Sequence, residues 1–244
     1  MFQSFFNYDN PVWRYIGKFG DLIILNILWI ICSIPIFTIG ASTTAVYYVT
    51  LKLVRDDDGY TIKSFLKSFR ENFKQATVIW LIMLAAGLIL GFDLYFFFQV
   101  VTGNSIFRTV FTAAIGALTI IWLFMITYVF PLQSRFYNPV KRTLFNAMFM
   151  SIRHFFHTLG MLAIDVALLI LSYFSLYYAP QFTVLVMLFG FPLIAFINSY
   201  IFSSIFKQYM PKEEGEQDSS QLRPILEDVK LTHPSQPEES KPEE

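Results

Sequence analysis

Cysteine is almost missing from this sequence: the 244 residues contain one, Cys32. A lone thiol forms no internal disulfide and completes no cysteine metal cluster, and in its apolar setting it is expected to be buried and inert. Charge is also scarce, at 15% of residues, against about 25% in ordinary soluble domains. No glycine-rich phosphate loop, His-Glu-x-x-His, Gly-x-Ser-x-Gly or cysteine pair occurs, so the common enzyme classes lose their signatures. A non-enzyme is expected, and an ATP-driven role would need a separate ATPase chain. The first residues have no basic start leading into a short apolar run and a small-residue cleavage site, so no removable signal peptide is expected. No metal, cofactor or nucleic-acid partner is expected.

What is plentiful is hydrophobicity, at 55%, with 28 Phe and 13 Tyr. That excludes disorder as the main state. The formal net charge of zero hides two parts. Residues 1–210 hold 14 basic and 8 acidic side chains, and residues 211–244 hold 4 and 10. A cationic apolar body is joined to an acidic tail. The tail holds five of the eleven prolines and no aromatic residue, so it is expected to be disordered. Its segment Leu222 to Leu231 is the one stretch that could fold on a partner.

Long uncharged runs fill the body. A helix crosses hydrocarbon with about 20 residues, and in lipid every backbone amide needs an internal partner. The runs do not alternate as barrel strands do, so the expected fold class is all-α, a polytopic bundle of about five transmembrane helices. The expected spans lie near 22–51, 77–99, 107–134, 157–178 and 183–206, divided by Thr102-Gly103-Asn104 and Ala179-Pro180-Gln181. The first run is awkward, because 30 uncharged residues separate Asp21 from Lys52. Such a helix is about 45 Å long, more than a hydrocarbon core of about 30 Å. Pro35 and Gly40 mark a break. One kinked, tilted span is the expectation, and a short hairpin or re-entrant loop is the alternative.

Lysine and arginine set the orientation. They crowd into 52–74 and 135–153 and avoid 100–106 and 178–182, so the two basic segments and the tail are expected to be cytoplasmic. Five spans then put the N-terminus outside. A hairpin in 22–51 puts it inside, which Arg14 and Lys18 favour.

In 60–76, Phe65, Phe69 and Phe73 recur at helical spacing, with Lys63, Lys67, Arg70 and Lys74 on the other side. This amphipathic pattern suits a membrane-surface connector, whose basic face meets anionic head groups while its Phe face sinks into the interface. It also suits a helix docking into a partner's groove. The Asp56-Asp57-Asp58-Gly59 run before it reads as a turn, without the spacing or glutamate of a calcium loop. A shift of 83 residues lays this helix on 145–159, matching Ser68, Arg70 and Phe73 with Ser151, Arg153 and Phe156. A parallel repeat of span, cytoplasmic helix and returning span is one reading, and chance matching of two amphipathic helices is the other.

Ionisable groups at membrane depth are candidates for function. Asp93 and Arg108 flank one outer loop, where a structural ion pair or simple snorkelling of Arg108 is expected and a transport site is the alternative; Asp21 is placed on the same outer side. Asp165 follows His154 and His157 by about three and two helical turns, so a proton relay is an alternative to head-group histidines. Asn26, Asn146, Asn198 and Gln99 read as interhelical donors. The small residues Gly40 to Ala45 read as a close-packing surface, with a substrate-lining segment as the alternative.

Residues 7–82 closely resemble the N-terminal half of the YesL-like membrane proteins of Gram-positive bacteria. The most specific pieces are the Asn10-Pro11-x-Trp13 start, the stretch from Pro35 to Ala45 and the Lys63-Ser64-Phe65 helix. The likeness continues more loosely to about residue 210 and leaves out the tail. It implies an integral plasma-membrane protein of unknown activity, often encoded beside carbohydrate ABC transporters and sugar-responsive regulators. Possible partners are membrane lipids and ABC transporter subunits, with an accessory role in carbohydrate uptake or sensing. A stand-alone secondary transporter with a site near residues 35–44 and Asp165 is the alternative. No ligand residues come with the resemblance.

Overall fold

Apolar runs of this length leave the backbone one way to satisfy itself, and the computed structural model is helical apart from short connections over its described residues, 11–57, 59–100 and 106–210. Seven α-helices follow in order: α1 Pro11–Ser33, α2 Ile39–Val54, α3 Thr61–Tyr95, α4 Ile106–Arg135, α5 Val140–Arg153, α6 Phe155–Tyr178 and α7 Pro180–Lys207. Contacts divide the chain into a unit ending at Lys207 and a second beginning at Gln208. The acidic tail expected to be disordered lies outside the described residues, as do Asp58 and the Thr102-Gly103-Asn104 turn. Among the described residues, five helices are long and apolar enough to cross a membrane: Tyr15–Ser33, Thr61–Gln99, Ile106–Arg135, Phe155–Tyr178 and Pro180–Lys207.

The run 22–51 is not one kinked span. It is a helical hairpin. Ser33 and Ser42 hydroxyls meet at 2.6 Å, the Trp29 indole donates to Thr43 at 3.3 Å, and Lys18 pairs with Asp56 at 2.8 Å. Residues from the two arms therefore face each other at both ends of the pair. The physical reason is composition. Ser42, Thr43, Thr44 and Thr50 are buried on α2, and small polar side chains let backbones approach closely and bond across helices, which a lipid-facing span does not need. At 16 residues α2 is about 24 Å long, and it is sheathed by α3, α4, α7 and α1.

The turn at 34–38 meets α3 at Trp80, fifteen residues before α3 ends. Backbone broken beside an apolar helix needs internal partners. The Trp80 indole donates to the Ile36 carbonyl at 2.8 Å. The Thr38 hydroxyl lies 2.6 Å from the Cys32 and Pro35 carbonyls, so its one proton serves either. α3 is one continuous helix of 35 residues, about 52 Å. It pairs antiparallel with α4: Trp122 donates to the Met83 carbonyl at 2.9 Å and Gln133 to Asn72 at 3.1 Å. α6 and α7 form the third hairpin, joined at Ser175–Thr183 and at Asn198–Asp165. α7 is broken at Gly190, whose φ of 37° suits glycine. The Met187 carbonyl, one turn before the break's far side, accepts the Asn26 amide at 2.6 Å.

Candidate functional site: a polar cluster and two outward helix faces

The first half of α3 divides its two faces unequally. Thr61, Phe65, Ser68 and Ala76 are buried, chiefly against α2, its most extensive neighbour. Phe65, Phe69 and Phe73 form a ladder with ring centres 6.2 and 5.5 Å apart. Phe65 is fully buried and the other two are half-buried. Of the expected Phe anchor, Phe65 is therefore taken up inside the fold, while Phe69 and Phe73 keep part of their surface outside it. Lys63, Lys67, Arg70 and Lys74 all point outward, with Glu71 4.0 Å from Lys67.

α5 carries the same buried row under a different outer face. Thr143, Ala147, Met150 and, past the helix break, Thr158 are buried. These positions follow Thr61, Phe65, Ser68 and Ala76 by 82 residues, not by the 83 of the identity match. A correct register is the one that keeps buried positions buried. With it, Lys63, Lys67, Arg70 and Lys74 correspond to Phe145, Phe149, Ile152 and Phe156, and all eight are exposed. The two segments also differ at the junction. α3 runs unbroken, whereas α5 stops at His154, whose φ and ψ are −104° and 43°. The Thr158 hydroxyl bonds the Ser151 carbonyl at 2.8 Å there.

The ionisable candidates do not assemble as expected. Asp165 accepts the Asn198 amide at 2.8 Å, and the buried Tyr47 of α2 lies beside both. Asn198 Oδ1 is buried without a partner. Next to this trio, Thr50 and Ser199 hydroxyls meet at 2.8 Å. His154 and His157 sit together at the α5–α6 break, ring centres 5.9 Å apart. His157 is exposed. Partial burial, with His157 and Arg153 nearby, holds the His154 pKa below the usual histidine value. Asp165 turns to Asn198 instead of the histidines, so no His–Asp relay forms. Tyr47 was illegible as its neighbour, since nothing in an uncharged run says which helix will cover it.

Arg108 does not pair with Asp93. Its guanidinium donates to the Phe97 and Phe98 carbonyls, both at 3.0 Å, capping the π-helical turn Phe96–Val100 that ends α3. Unsatisfied terminal carbonyls compete well for an arginine in an apolar setting. Asp21 is not at that end either. It accepts from Thr61 at 2.6 Å, near the Lys18–Asp56 pair. Lys18, Asp21, Asp56 and Asp57 line a cleft there, and Asp57 pairs with Arg55 at 2.9 Å. Asp56 holds a φ of 55°, the left-handed turn that Asp tolerates. Among the described residues no group of three His, Cys, Asp or Glu side chains could hold a metal.

The residues 35–44 and Asp165 are likewise not joined by any of these bonds. Ser42 and Thr44 hydroxyls bond carbonyls one turn back on their own helix, at 3.2 Å to Thr38 and 2.8 Å to Gly40.

Three apolar helical hairpins, with five helices among the described residues long and apolar enough to cross a membrane, define a multi-pass helical membrane protein. A family model described as "Protein of unknown function, DUF624" matches residues 22–94, which is α1 from Leu22, all of α2 and α3 as far as Leu94. No curated protein and no solved structure matches the chain.

Proposed function

We propose that this chain is a non-catalytic protein of a Gram-positive plasma membrane, serving as an accessory component of carbohydrate ABC transport or sugar sensing. The observation that carries the reading is the outward basic row Lys63, Lys67, Arg70 and Lys74 on a helix whose Phe65 is buried inside the fold and whose Phe69 and Phe73 are half-buried. A rigid, periodic row of cations fits an acidic surface on a partner, and such complementarity sets specificity and encounter rate. In this reading the row and the tail 211–244 are cytoplasmic, following the positive charge. The sugar-transport context rests on the resemblance of residues 7–82 to the YesL-like proteins.

The test is purification of the full chain from its native membrane. Transporter subunits should co-purify, and should be lost when Lys63, Lys67, Arg70 and Lys74 are all changed to Glu at unchanged membrane level. An unchanged set of partners overturns the reading. A second reading, a stand-alone secondary transporter, draws on the cluster of half-buried Asp165 with buried Asn198 and Tyr47. Sugar uptake by proteoliposomes holding only this chain, abolished by Asp165→Asn, would establish it in place of the first.

A further inference from the structure

α5 has two faces that cannot both be explained by packing. Its inner face, Thr143, Ala147, Met150 and Ser151, is buried, largely against α4. Its outer face carries Phe145, Phe149 and Ile152, all at least half exposed. At 100° per residue these three lie within about 60° of one another and opposite the buried row. Lys141 and Arg142 stand at the start of the same outer face and Arg153 at its end, and all three are exposed. No acidic residue occurs anywhere from 94 to 164.

We infer that the outer face of α5 lies in the head-group region of an anionic phospholipid leaflet. Two features choose lipid over a protein groove. The aromatic stripe does not stop at the end of the helix. It continues through Phe155, Phe156 (83% exposed) and Leu159 into α6, one of the five helices able to cross a membrane. The surface on α5 is thus continuous with a surface that lipid covers. The second feature is charge. Cations flanking an apolar stripe, in a stretch of sequence without an acidic residue, fit phosphate above and acyl chain below. Phe145 and Phe149 bury their rings at the acyl boundary while Lys141 and Arg142 extend to phosphate. The first half of α3 is the internal control. It has the same buried row 82 residues earlier, but lysine and arginine where α5 has Phe and Ile, so it presents its outer face to water.

The experiment uses the full chain with Cys32→Ser and one new thiol, Phe149→Cys or Lys67→Cys. Each is labelled with an environment-sensitive fluorophore. The protein is reconstituted in vesicles of phosphatidylcholine with phosphatidylglycerol, and in phosphatidylcholine alone. At position 149 the label should be quenched by a nitroxide carried near the head group of the lipid and sheltered from aqueous iodide. At position 67 iodide should quench and the lipid nitroxide should not. Changing Lys141 or Arg142 to Gln should weaken seating at 149 about fivefold per charge in the phosphatidylglycerol vesicles. Phe145→Cys repeats the reading at a second position if the first variant folds poorly. Iodide access at 149 equal to that at 67 overturns the inference. So does a label sheltered from both quenchers, which would mean that protein covers the face. None of these outcomes depends on a transporter partner.

Discussion

Trp80 and Thr38 hold the backbone break at 34–38, which sits beside the apolar helix α3. A carbonyl with no donor in such surroundings costs about 1–3 kcal/mol. Trp80→Phe keeps the ring and removes the donor to Ile36, so it should lower thermal stability in detergent, while Trp122→Phe should do the same at Met83. Circular dichroism melts check this, and an unchanged Trp80→Phe melt would show that the Ile36 carbonyl is otherwise satisfied. At this scale the sequence was partly legible. Asn26 and Asn198 do act as interhelical donors, because a buried amide in an apolar run has no cheaper use. The partners were not legible. Arg108 chose carbonyls over Asp93, and Asp165 chose Asn198 over histidine, since both choices depend on which atoms the fold leaves bare.

Helix approach is decided at a few small residues. A Cβ on Gly40 would lie 2.5 Å from Trp80 Cβ and 2.6 Å from the Ala76 carbonyl oxygen. The second contact is backbone and cannot yield, so Gly40→Ala must push α2 off α3. We expect loss of monodisperse protein on size exclusion. Gly91→Ala meets nothing within 4 Å and should be as stable as the parent or slightly more so, because alanine favours helix. The small-residue run Gly40 to Ala45 announced this close packing in the sequence. Its direction was not announced. An uncharged run reads the same whether the chain continues or reverses at Pro35, and the contacts between the arms, Ser33 with Ser42 and Trp29 with Thr43, separate the two. The amphipathic period of α3 was equally plain, and so was the face that turns inward, but not what covers it. Phe65 is inside and the cations are outside as the pattern implies, with α2 packed against α3 where the membrane surface or a partner was expected.

For the whole molecule, the hairpin changes the side of α1's beginning. Lys18 against Asp56 places it with the segment 52–74, not opposite it as five traverses from an outside start would require. Single thiols in a Cys32→Ser background provide the check. Tyr15→Cys and Tyr60→Cys should react with a membrane-impermeant maleimide from one side and Tyr178→Cys from the other; labelling of 15 and 178 from the same side would restore the single kinked span. The basic excess of residues 1–210 also acquires a finer distribution. On α3 it forms a row of its own, while on α5 it flanks an aromatic stripe.

By itself the sequence determined the class: helices apart from short connections over the described residues, five of them long enough to cross a membrane, with cations gathered in two connecting segments. These follow from composition and periodicity, which act locally and at every position. Tertiary structure alone decided the reversal at Pro35, what covers Phe65, the company of Asp165 and the 82-residue register. Each depends on which helix lies against which, and in an apolar chain the burial of one hydrophobic face rather than another differs little in transfer energy. Close approach at Gly40 and the capping of a few carbonyls settle that choice.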